Sequence, residues 1–561
     1  MRFVYILLSF VALLSVITIA VVLIVVFTEI NEENKPETGE LFELSIIHIN
    51  DFHARFDETN EKSMPCVDGE VCIGGYARLA TVVHFLKSQR KNAIFLNAGD
   101  NFQGTFWYNL LRYNVTTHFL NLLPADAITI GNHEFTHRVE GMIPFLKLIT
   151  SPVVIANIDD RYQPNIQNLY KKSIVIERSG RKIGIIGVIF RETAEVANTD
   201  NLKFTNEIDA IRNESTKLRQ IDGVNIIIVL SHCGLVRDKE IALETGDFVD
   251  VIVGGHSHTF LYTSKDTRYP GPDQAVGPYP IVVTPKSGRD RKVLIVQASA
   301  FTKYVGDLRV YFNQAGHVRF YDGNPIFLSN NIKQDANVLE ELKPWRDEVI
   351  RRGQRIIGST NVDLFHDICR HDECALGSFA TDAFMYETQL AFPHVQINAA
   401  IIQAAGMRNG FRISNISFSD IVAFMPFENT LDIMELRGEV IVDMFEHSVS
   451  RSFVEHEFIG IHMMQVSGFR ISFNVTRPVG QRVKSLEIKT TQSDYEIVHP
   501  NKYYTLIIPS FIAAGGDGFT MLKLKRKNHR VGLLDIDIME SYIARKSPIT
   551  HQIDGRINML I

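Results

Sequence analysis

Acidic, amide and imidazole side chains recur directly after short apolar runs in the first half of the chain. Asp100 follows the run at 93–96, and Asn132 and His133 follow the run at 127–130. Oxygen and imidazole donors of this kind suit a hard or borderline divalent cation. Two ordinary turns in which Asp and Asn cap helices would give the same pattern. The rest of the chain has to decide between these two interpretations.

Three further turns repeat the pattern. Asp51 and His53 follow the run at 46–49, a histidine follows 225–230, and the turn G-G-H-S-H follows 249–253. A single histidine after a strand is usually structural, but five such turns in one half of a chain indicate a shared site. The candidate ligands are seven oxygen or nitrogen donors: Asp51, His53, Asp100, Asn132, His232, His256 and His258.

Seven donors are too many for one tetrahedral ion but fit two ions that share one carboxylate. Two metals roughly 3.5–4 Å apart can bind both the attacking and the leaving oxygen of an in-line phosphoryl displacement. His133 follows Asn132 and need not be a ligand. We expect it to meet the phosphoryl group or the leaving oxygen, as a general acid or a charge stabiliser.

The elements that must position these residues are buried parallel strands. Each apolar run is short, rich in bulky residues and ended by a turn, which is typical of a parallel sheet. Residues 76–87 between two of the runs have helical apolar spacing, so the order predicts βαβ units. Ligands of open α/β sheets bind beyond the carboxyl ends of the strands, where all seven donors fall.

The second half of the chain is predicted to form another domain. A Pro/Gly-rich loop at about 263–280 and strand-like sequence to about 327 precede a charged amphipathic helix at 337–352, with a break expected near Pro344. Beyond residue 358, the pattern predicts a helix at 376–384, a buried strand at 399–403 and a tight turn to Arg408. The later sequence G-G-D-G-F, taken alone, predicts only a glycine-rich turn, although glycines also allow a ligand to approach the backbone.

Length and composition place the chain among ordinary globular proteins. Its 561 residues suffice for two or three domains, and 22% of them are charged. The formal net charge of −6 gives no support for nucleic-acid binding.

The N-terminus predicts export. Residues 3–27 are almost unbroken apolar after Met1 and Arg2, and acidic residues follow. We interpret residues 1–28 as a secretory signal that is removed, with a retained membrane-spanning signal anchor as the alternative. The charge bias places the body of the chain outside the cytosol in both cases. The segment 555–561 is too short for a GPI signal, so no lipid anchor is expected.

The cysteines agree with export. Two closely spaced pairs, Cys66 with Cys72 and Cys369 with Cys374, predict two short-loop disulfides in an oxidising compartment. A four-thiolate zinc site is the alternative, although the C-x2-C spacing is missing. Four sequons predict N-glycosylation at Asn114, Asn213, Asn415 and Asn474.

With these motifs laid out, the chain resembles the 5′-nucleotidase superfamily of dimetal phosphoesterases, and most closely the secreted salivary apyrases of blood-feeding insects. The resemblance runs from about residue 45 to 560 and includes I-N-D-F-H-A-R-F, N-A-G-D-N-F-Q-G-T-F-W-Y, G-N-H-E-F, L-S-H-C and G-G-H-S-H. It continues with I-I-Q-A-A-G-M-R-N, E-H-S-V and G-G-D-G-F. The apyrase branch is indicated by I-I-Q-A-x-x-x-R-N, where nucleotidases typically have N-G-G-G-I-R.

The resemblance implies an α/β protein of two domains. The N-terminal metallophosphoesterase domain, a layered αββα sandwich, would cover residues 45–330. The helix at 337–352 would connect it to a smaller C-terminal α/β nucleotide-binding domain at 358–561, which in family members rotates to carry the nucleotide to the metals. No dimer helix is recognisable, so a monomer is expected.

The resemblance also assigns roles to single residues. One metal would be held by Asp51, His53, Asp100 and His258, and the other by Asp100, Asn132, His232 and His256, with His133 as the catalytic histidine. The metals would be two divalent ions, zinc, manganese or calcium. In the second domain the implied substrate contacts are Arg370 and Arg408 to phosphate and ribose, Gln403 in place of a family Asn, Phe427 and Phe511 around the base, and Asp517 on the ribose hydroxyls.

One departure from the family is Thr136, which stands where G-N-H-E-F-D has its Asp. That Asp orients the catalytic histidine and stabilises its cation. A threonine hydroxyl can orient the ring but adds no charge, so we expect lower turnover or a more acidic pH optimum. The implied activity is hydrolysis of extracellular ATP and ADP to AMP, with AMP hydrolysis to adenosine as the alternative. A weakly active relative that inhibits platelets by binding a receptor is an alternative of another class.

Overall fold

The computed structural model describes residues 41–63, 65–66, 69–264, 268–287, 291–450, 463–490 and 494–560. Within these ranges no helix has the length and apolar character needed to cross a bilayer. The segment 1–28, interpreted above as a signal peptide or signal anchor, lies outside the described residues.

The first domain contains two six-stranded sheets. One has the order β13-β12-β1-β2-β3, with β14 also paired to β12, and the other has the order β10-β11-β9-β8-β6-β5. A separate short ribbon joins β4 to β7. The strands are β1 (Phe42–Ile49), β2 (Ile94–Asn97), β3 (Ala127–Ile128), β4 (Ile158–Asp159), β5 (Ser173–Arg178), β6 (Arg181–Ile189), β7 (Lys203–Phe204), β8 (Ile226–His232), β9 (Val251–Gly254), β10 (Ile281–Val283), β11 (Val293–Val296), β12 (Tyr304–Phe312), β13 (Val318–Gly323) and β14 (Ile326–Phe327).

The two sheets pack face to face, and helices cover their outer faces. Alternate residues of one sheet, such as Ile46 and Leu96, share a buried core with Ile228 and Val253 of the other. Neighbouring residues such as Ile47 and Val229 point outward into the layers formed with the helices. The predicted αββα sandwich is therefore confirmed, because continuous apolar strands are buried on both faces. The helices are α1 (Tyr76–Gln89), α2 (Phe106–Leu111), α3 (Tyr113–Leu122), α4 (Arg138–Leu148), α5 (Glu207–Gln220) and α6 (Leu235–Thr245).

Helix α7 (Ala336–Gly353) connects the two domains. The predicted break near Pro344 is wrong, because the helix runs through this residue without interruption. Proline in a helix interior removes one backbone hydrogen bond and costs about 3 kcal/mol. Packing offsets this loss, since Trp345 packs against the core of the first domain and Arg346 binds Asp57 at 2.5 Å.

The second domain is built on a five-stranded sheet of order β19-β16-β23-β18-β24 and a four-stranded sheet of order β22-β21-β20-β25, with β15 paired to β17. Its strands are β15 (Ile356–Thr360), β16 (Ala399–Gln403), β17 (Ser414–Ser417), β18 (Thr430–Arg437), β19 (Met464–Ser467), β20 (Phe469–Asn474), β21 (Val483–Lys489), β22 (Tyr495–Ile497), β23 (Tyr503–Pro509), β24 (Lys527–Leu534) and β25 (Ile557–Leu560). Its helices are α8 (Ala375–Ala391), α9 (Phe418–Phe424), α10 (Gly438–Ser448), α11 (Ser510–Ala513), α12 (Thr520–Lys525) and α13 (Asp535–Lys546).

Both predicted disulfides are present in the structure, Cys66–Cys72 and Cys369–Cys374. The four-thiolate zinc alternative is thereby excluded. Three of the four sequon asparagines are exposed and Asn474 is half-buried. Glycosylation at these positions stays a prediction.

Candidate functional site

The seven predicted ligands lie at or just beyond the carboxyl ends of five strands, β1, β2 and β3 of one sheet and β8 and β9 of the other. Five of these residues have a left-handed backbone, with φ between 49° and 73°. Such a conformation costs a non-glycine residue of the order of 1 kcal/mol or more and concentrates at functional sites. The sharp turns point side chains from both sheets at one place. The five are Asp51, His53, Asp100, His256 and His258.

One group of donors consists of Asp51, His53, Asp100 and His258, whose ligand atoms all lie within 4.8 Å of one another. Nε2 of His53 lies 3.1 Å from Nε2 of His258 and 3.7 Å from Oδ2 of Asp100. Nε2 of His258 lies 3.5 Å from Oδ1 of Asp51. Side chains that converge in this way can coordinate one cation.

A second group, Asp100, His232 and His256, meets the same 4.8 Å limit. Nε2 of His232 lies 3.1 Å from Oδ2 of Asp100. Asn132 lies in the turn after β3 and follows Gly131, which lies against Asp100 and His232. The Oδ1 atom of Asn132 is buried without a hydrogen-bond partner. Asp100 therefore belongs to both groups, as the bridging carboxylate of a two-ion centre would.

Two glycines leave room for these side chains. A Cβ on Gly131 would overlap Oδ1 of Asp100 and lie 2.5 Å from Nε2 of His232. A Cβ on Gly255 would lie 3.0 Å from Nδ1 of His232 and 3.3 Å from Oδ2 of Asp51. Glycine at these two positions therefore lets the side chains of Asp51, Asp100 and His232 converge.

The charges of the site favour a cation. Burial lowers the pKa of His53 well below its usual value, that of His256 to about 3 and that of His258 to about 4, so these imidazoles are neutral, the form that binds metals. Burial opposes the charge of His232 as well, but the carboxylates of Asp100 and its neighbour Asp51 raise its pKa to about 10. The buried carboxylates thus attract positive charge strongly.

Several supporting residues were not identified from the sequence. Nδ1 of His232 donates to the carbonyl of Ala98 at 2.7 Å, which turns its Nε2 toward Asp100. Asn50 donates to Oδ2 of Asp51 at 2.7 Å. The ring of Phe301 packs against those of His53 and His258, with centroids 5.4 and 5.0 Å apart.

Glu134 is the most connected of these supporting residues. Its carboxylate accepts backbone N–H groups of Gly131 at 2.6 Å, Asp100 at 3.1 Å and Asn101 at 2.6 Å. These bonds join the turn after β2 to the turn after β3. The only sequence signal for this role was its place in G-N-H-E-F.

His133 lies beside the cluster, but Thr136 does not contact its ring through the hydroxyl. The backbone N–H of His133 donates to Oδ1 of Asp100 at 2.9 Å, and its ring lies 5.1 Å from that of His53. The hydroxyl of Thr136 donates to the backbone carbonyl of His133 at 2.8 Å. Burial lowers the pKa of His133, against the opposing effect of Asp100.

The second domain brings four of the six predicted substrate residues into neighbouring turns and loops. Arg408 stacks over the ring of Phe427 at 4.9 Å. Gln403 is buried, and its Oε1 has no hydrogen-bond partner. Arg370 ends a 3-10 turn that packs against the turn after Gln403, since Nε2 of His366 lies 3.0 Å from the carbonyl of Ala404.

The remaining two residues lie on the facing side. Phe511 is 49% exposed and packs against Gly516, which precedes Asp517. The backbone N–H of Phe511 donates to Oδ1 of Asn429 at 3.1 Å, and Asn429 is two residues from Phe427. The two half-exposed phenylalanines are thereby held by neighbouring loops.

Comparison with known proteins agrees with this architecture. Residues 44–260 match the calcineurin-like phosphoesterase model, and residues 356–524 match the model of the 5′-nucleotidase C-terminal domain. An apyrase of Tabanus yao is 44% identical over 92% of this chain and 94% of the relative. The chain belongs to the 5′-nucleotidase family. A 5′-nucleotidase of Bos taurus is 37% identical over 92% of this chain and 91% of that relative.

A solved member of the family has the same fold. The crystal structure of a 5′-nucleotidase precursor from Thermus thermophilus is 32% identical, with a TM-score of 0.61, and covers 92% of this chain and 99% of that one. Membership implies divalent metal ions, and the donor groups around Asp100 form a candidate site for them.

Proposed function

We propose that this protein is an apyrase-type enzyme that hydrolyses extracellular ATP and ADP to AMP and phosphate. The observation that carries the proposal is the pair of donor groups that share Asp100, each within 4.8 Å. A shared carboxylate is the arrangement that holds two cations close enough for phosphoryl transfer. Relatives named apyrase at 40–44% identity favour this substrate preference.

In this proposal Asp51, His53, Asp100 and His258 hold one divalent ion, and Asp100, Asn132, His232 and His256 hold the second. When bound, the ions supply Lewis-acid activation and a nucleophilic water at neutral pH. Five imidazoles near the site, including that of His133, favour zinc or manganese among the candidates over calcium. His133, whose ring lies 5.1 Å from that of His53, would stabilise charge on the phosphoryl group or protonate the leaving oxygen.

The second domain would bind the rest of the nucleotide. Arg370 and Arg408 supply positive charge for phosphate and ribose, and the buried, unpartnered Oε1 of Gln403 can accept a hydrogen bond there. The faces of Phe427 and Phe511 would stack on the base, an interaction that tolerates several bases. Asp517 would accept hydrogen bonds from the ribose hydroxyls.

We further propose that the chain acts outside the cell as a monomer. Two disulfides fit an oxidising compartment. N-terminal sequencing of the exported product would show whether residues 1–28 are removed, and size-exclusion chromatography with light scattering would give the oligomeric state. Protein found only inside the cell, or a dimer mass, would contradict these two statements, and an intact residue 1 would show that the segment is retained as a signal anchor.

Hydrolysis of AMP to adenosine is the second candidate, because relatives named 5′-nucleotidase align over nearly the whole chain. Phosphate release from ATP, ADP and AMP, measured separately, distinguishes the two. We expect release from ATP and ADP, loss of that release in a chelator, and recovery when zinc, manganese or calcium is restored. Release from AMP alone would favour the second candidate, and no release from any nucleotide would leave only a binding role.

Thr136→Asp is expected to raise the rate of ADP hydrolysis by about tenfold, a fraction of the roughly 100- to 10,000-fold that a positioned general acid or base contributes. The hydroxyl of Thr136 donates to the backbone carbonyl of His133, and a threonine carries no negative charge. Residue 136 therefore does nothing to stabilise the cation of the His133 imidazole. An aspartate there would orient the ring and stabilise its cation. Initial rates at several pH values provide the measurement, and Thr150→Asp, which adds the same charge to an exposed loop, is the control. A rate equal to or below that of the unmodified protein would refute this account of residue 136.

A further inference from the structure

A loop of the second domain contacts the metal-bearing side of the first domain through Glu428. This residue is 6% exposed and lies between α9 and β18. Its Oε2 accepts the backbone N–H of Gly104 at 3.4 Å, and its Oε1 accepts a hydrogen bond from Nδ2 of Asn109. Nε2 of Gln103 donates to its backbone carbonyl at 3.0 Å. All three donors lie in the first domain, a few residues beyond Asp100.

The backbone conformation and the burial of Glu428 both cost free energy, and the contacts with the first domain offset that cost. Glu428 has a left-handed backbone with φ of 52°. Burial raises its pKa to about 7, although the hydrogen bonds and the charges of Arg55 and Arg112 act in the opposite direction. A strained, buried carboxylate persists where the surrounding structure holds it, and such residues concentrate at functional sites.

The residues on either side of Glu428 hold the predicted base-binding groups. Phe427 precedes it and carries Arg408 on its ring. Asn429 follows it and binds both the backbone N–H of Phe511 at 3.1 Å and the hydroxyl of Ser510 at 3.3 Å. Three consecutive residues thus connect both half-exposed phenylalanines to the loop that follows the turn of Asp100.

On the other side of the contact, the loop lies against a metal-ligand turn. A Cβ on Gly104 would lie 3.1 Å from Cβ of His53. Arg55 donates to the carbonyls of Gly104 and His53, the latter at 3.0 Å, and its guanidinium lies 4.7 Å from the centre of the Phe301 ring. A shift of Gly104 would therefore be transmitted to the base of the first donor group.

We propose that Glu428 is a positioning residue that docks the loop carrying Phe427 onto the first domain. The contact would fix the distance between the base-binding phenylalanines and the donor groups around Asp100. The inference rests on the proposed function, because it assigns Phe427 and Phe511 to a nucleotide. It makes Glu428 a determinant of specificity for nucleotides over phosphate esters that have no base.

The test compares a nucleotide with a substrate that lacks a base. For Glu428→Gln, which keeps the shape but puts an N–H donor where an acceptor is needed, we expect the ratio of kcat/KM for ADP to kcat/KM for p-nitrophenyl phosphate to fall about tenfold. We also expect the Kd of the non-hydrolysable analogue α,β-methylene-ADP, measured by calorimetry, to rise by about the same factor. The control is Glu439→Gln, an exposed carboxylate of the same domain, which should change neither quantity.

Asn109→Ala approaches the same contact from the first domain. Because Asn109 donates to Glu428, the double variant Asn109→Ala, Glu428→Gln should lose less than the product of the two single effects. The single variant Asn109→Ala also keeps the proposal testable if Glu428→Gln fails to fold, which thermal unfolding would show, because it removes the same hydrogen bond and should lower the same ratio.

Three outcomes would overturn the proposal. They are an unchanged ratio with unchanged Kd, an equal fall for both substrates, and a ratio that rises, which would mean that the contact restrains the nucleotide reaction. Failure of the proposed function has a different signature: the unmodified protein would hydrolyse p-nitrophenyl phosphate but no nucleotide. In that case the Kd of α,β-methylene-ADP for Glu428→Gln, compared with that for the unmodified protein, still shows whether Glu428 positions the base-binding loop.

Discussion

Asp100→Asn is expected to lower kcat for ADP hydrolysis by about 1,000-fold or more, because each ion contributes several kcal/mol to the stabilisation of the transition state. Asp100 belongs to both donor groups, and its Oδ2 lies 3.1 Å from Nε2 of His232 and 3.7 Å from Nε2 of His53. Asparagine keeps the shape but has one oxygen and no charge, so it cannot bridge two cations. The bound metal per chain, measured by mass spectrometry of the purified protein, should fall along with the rate.

Asp209→Asn is the matched control for this prediction. Asp209 lies on α5 with 72% of its side chain exposed and belongs to neither donor group. The control should keep full activity and metal content. If Asp100→Asn kept either property at the level of the control, Asp100 would not be the shared ligand.

Gly131→Ala is expected to lower kcat/KM by about 100-fold and to weaken metal binding, as loss of ligand geometry does at other metal sites. The added methyl group would overlap Oδ1 of Asp100 and lie 2.5 Å from Nε2 of His232. The backbone of Gly131, with φ of −112° and ψ of −171°, is one that alanine adopts without strain. The effect therefore reports displacement of two ligands and not a change in the backbone.

The control for Gly131→Ala is Gly277→Ala. A Cβ at residue 277 meets only ordinary van der Waals contacts, the nearest at 3.5 Å to Leu261. Activity and metal affinity, the latter from titration of the apoprotein, should match those of the unmodified protein. If the two alanine variants behaved alike, the region around Gly131 would have more freedom than the structure shows.

The cluster of candidate ligand residues could be predicted from the sequence because its signal is local and repeated. Each buried strand is a short apolar run, and the donors follow within a few residues, as with Asp100 after β2 and His232 at the end of β8. Parallel strands bring their carboxyl ends to one edge, so the pattern also implied that the donors meet. The apolar runs predicted buried parallel strands in βαβ units, and the αββα layering followed from the family resemblance.

The contacts that support the site could not be predicted, since they join residues far apart in the chain. Gln103 and Glu428 are separated by 325 positions, and neither follows an apolar run of the kind that marks the candidate ligands. Phe301 is one of 36 phenylalanines, and its position against two histidine rings has no sequence signal. The continuous helix through Pro344 shows the same limit, because tertiary packing overrides a local rule.

Anomalous diffraction from crystals of the intact protein grown with Mn²⁺ will show whether two metal ions share Asp100. We expect two anomalous peaks between the strand ends, one beside Asp51, His53 and His258 and the other beside Asn132, His232 and His256, with the carboxylate of Asp100 in contact with both. A single peak, peaks elsewhere in the molecule, or two peaks without Asp100 between them would contradict this expectation.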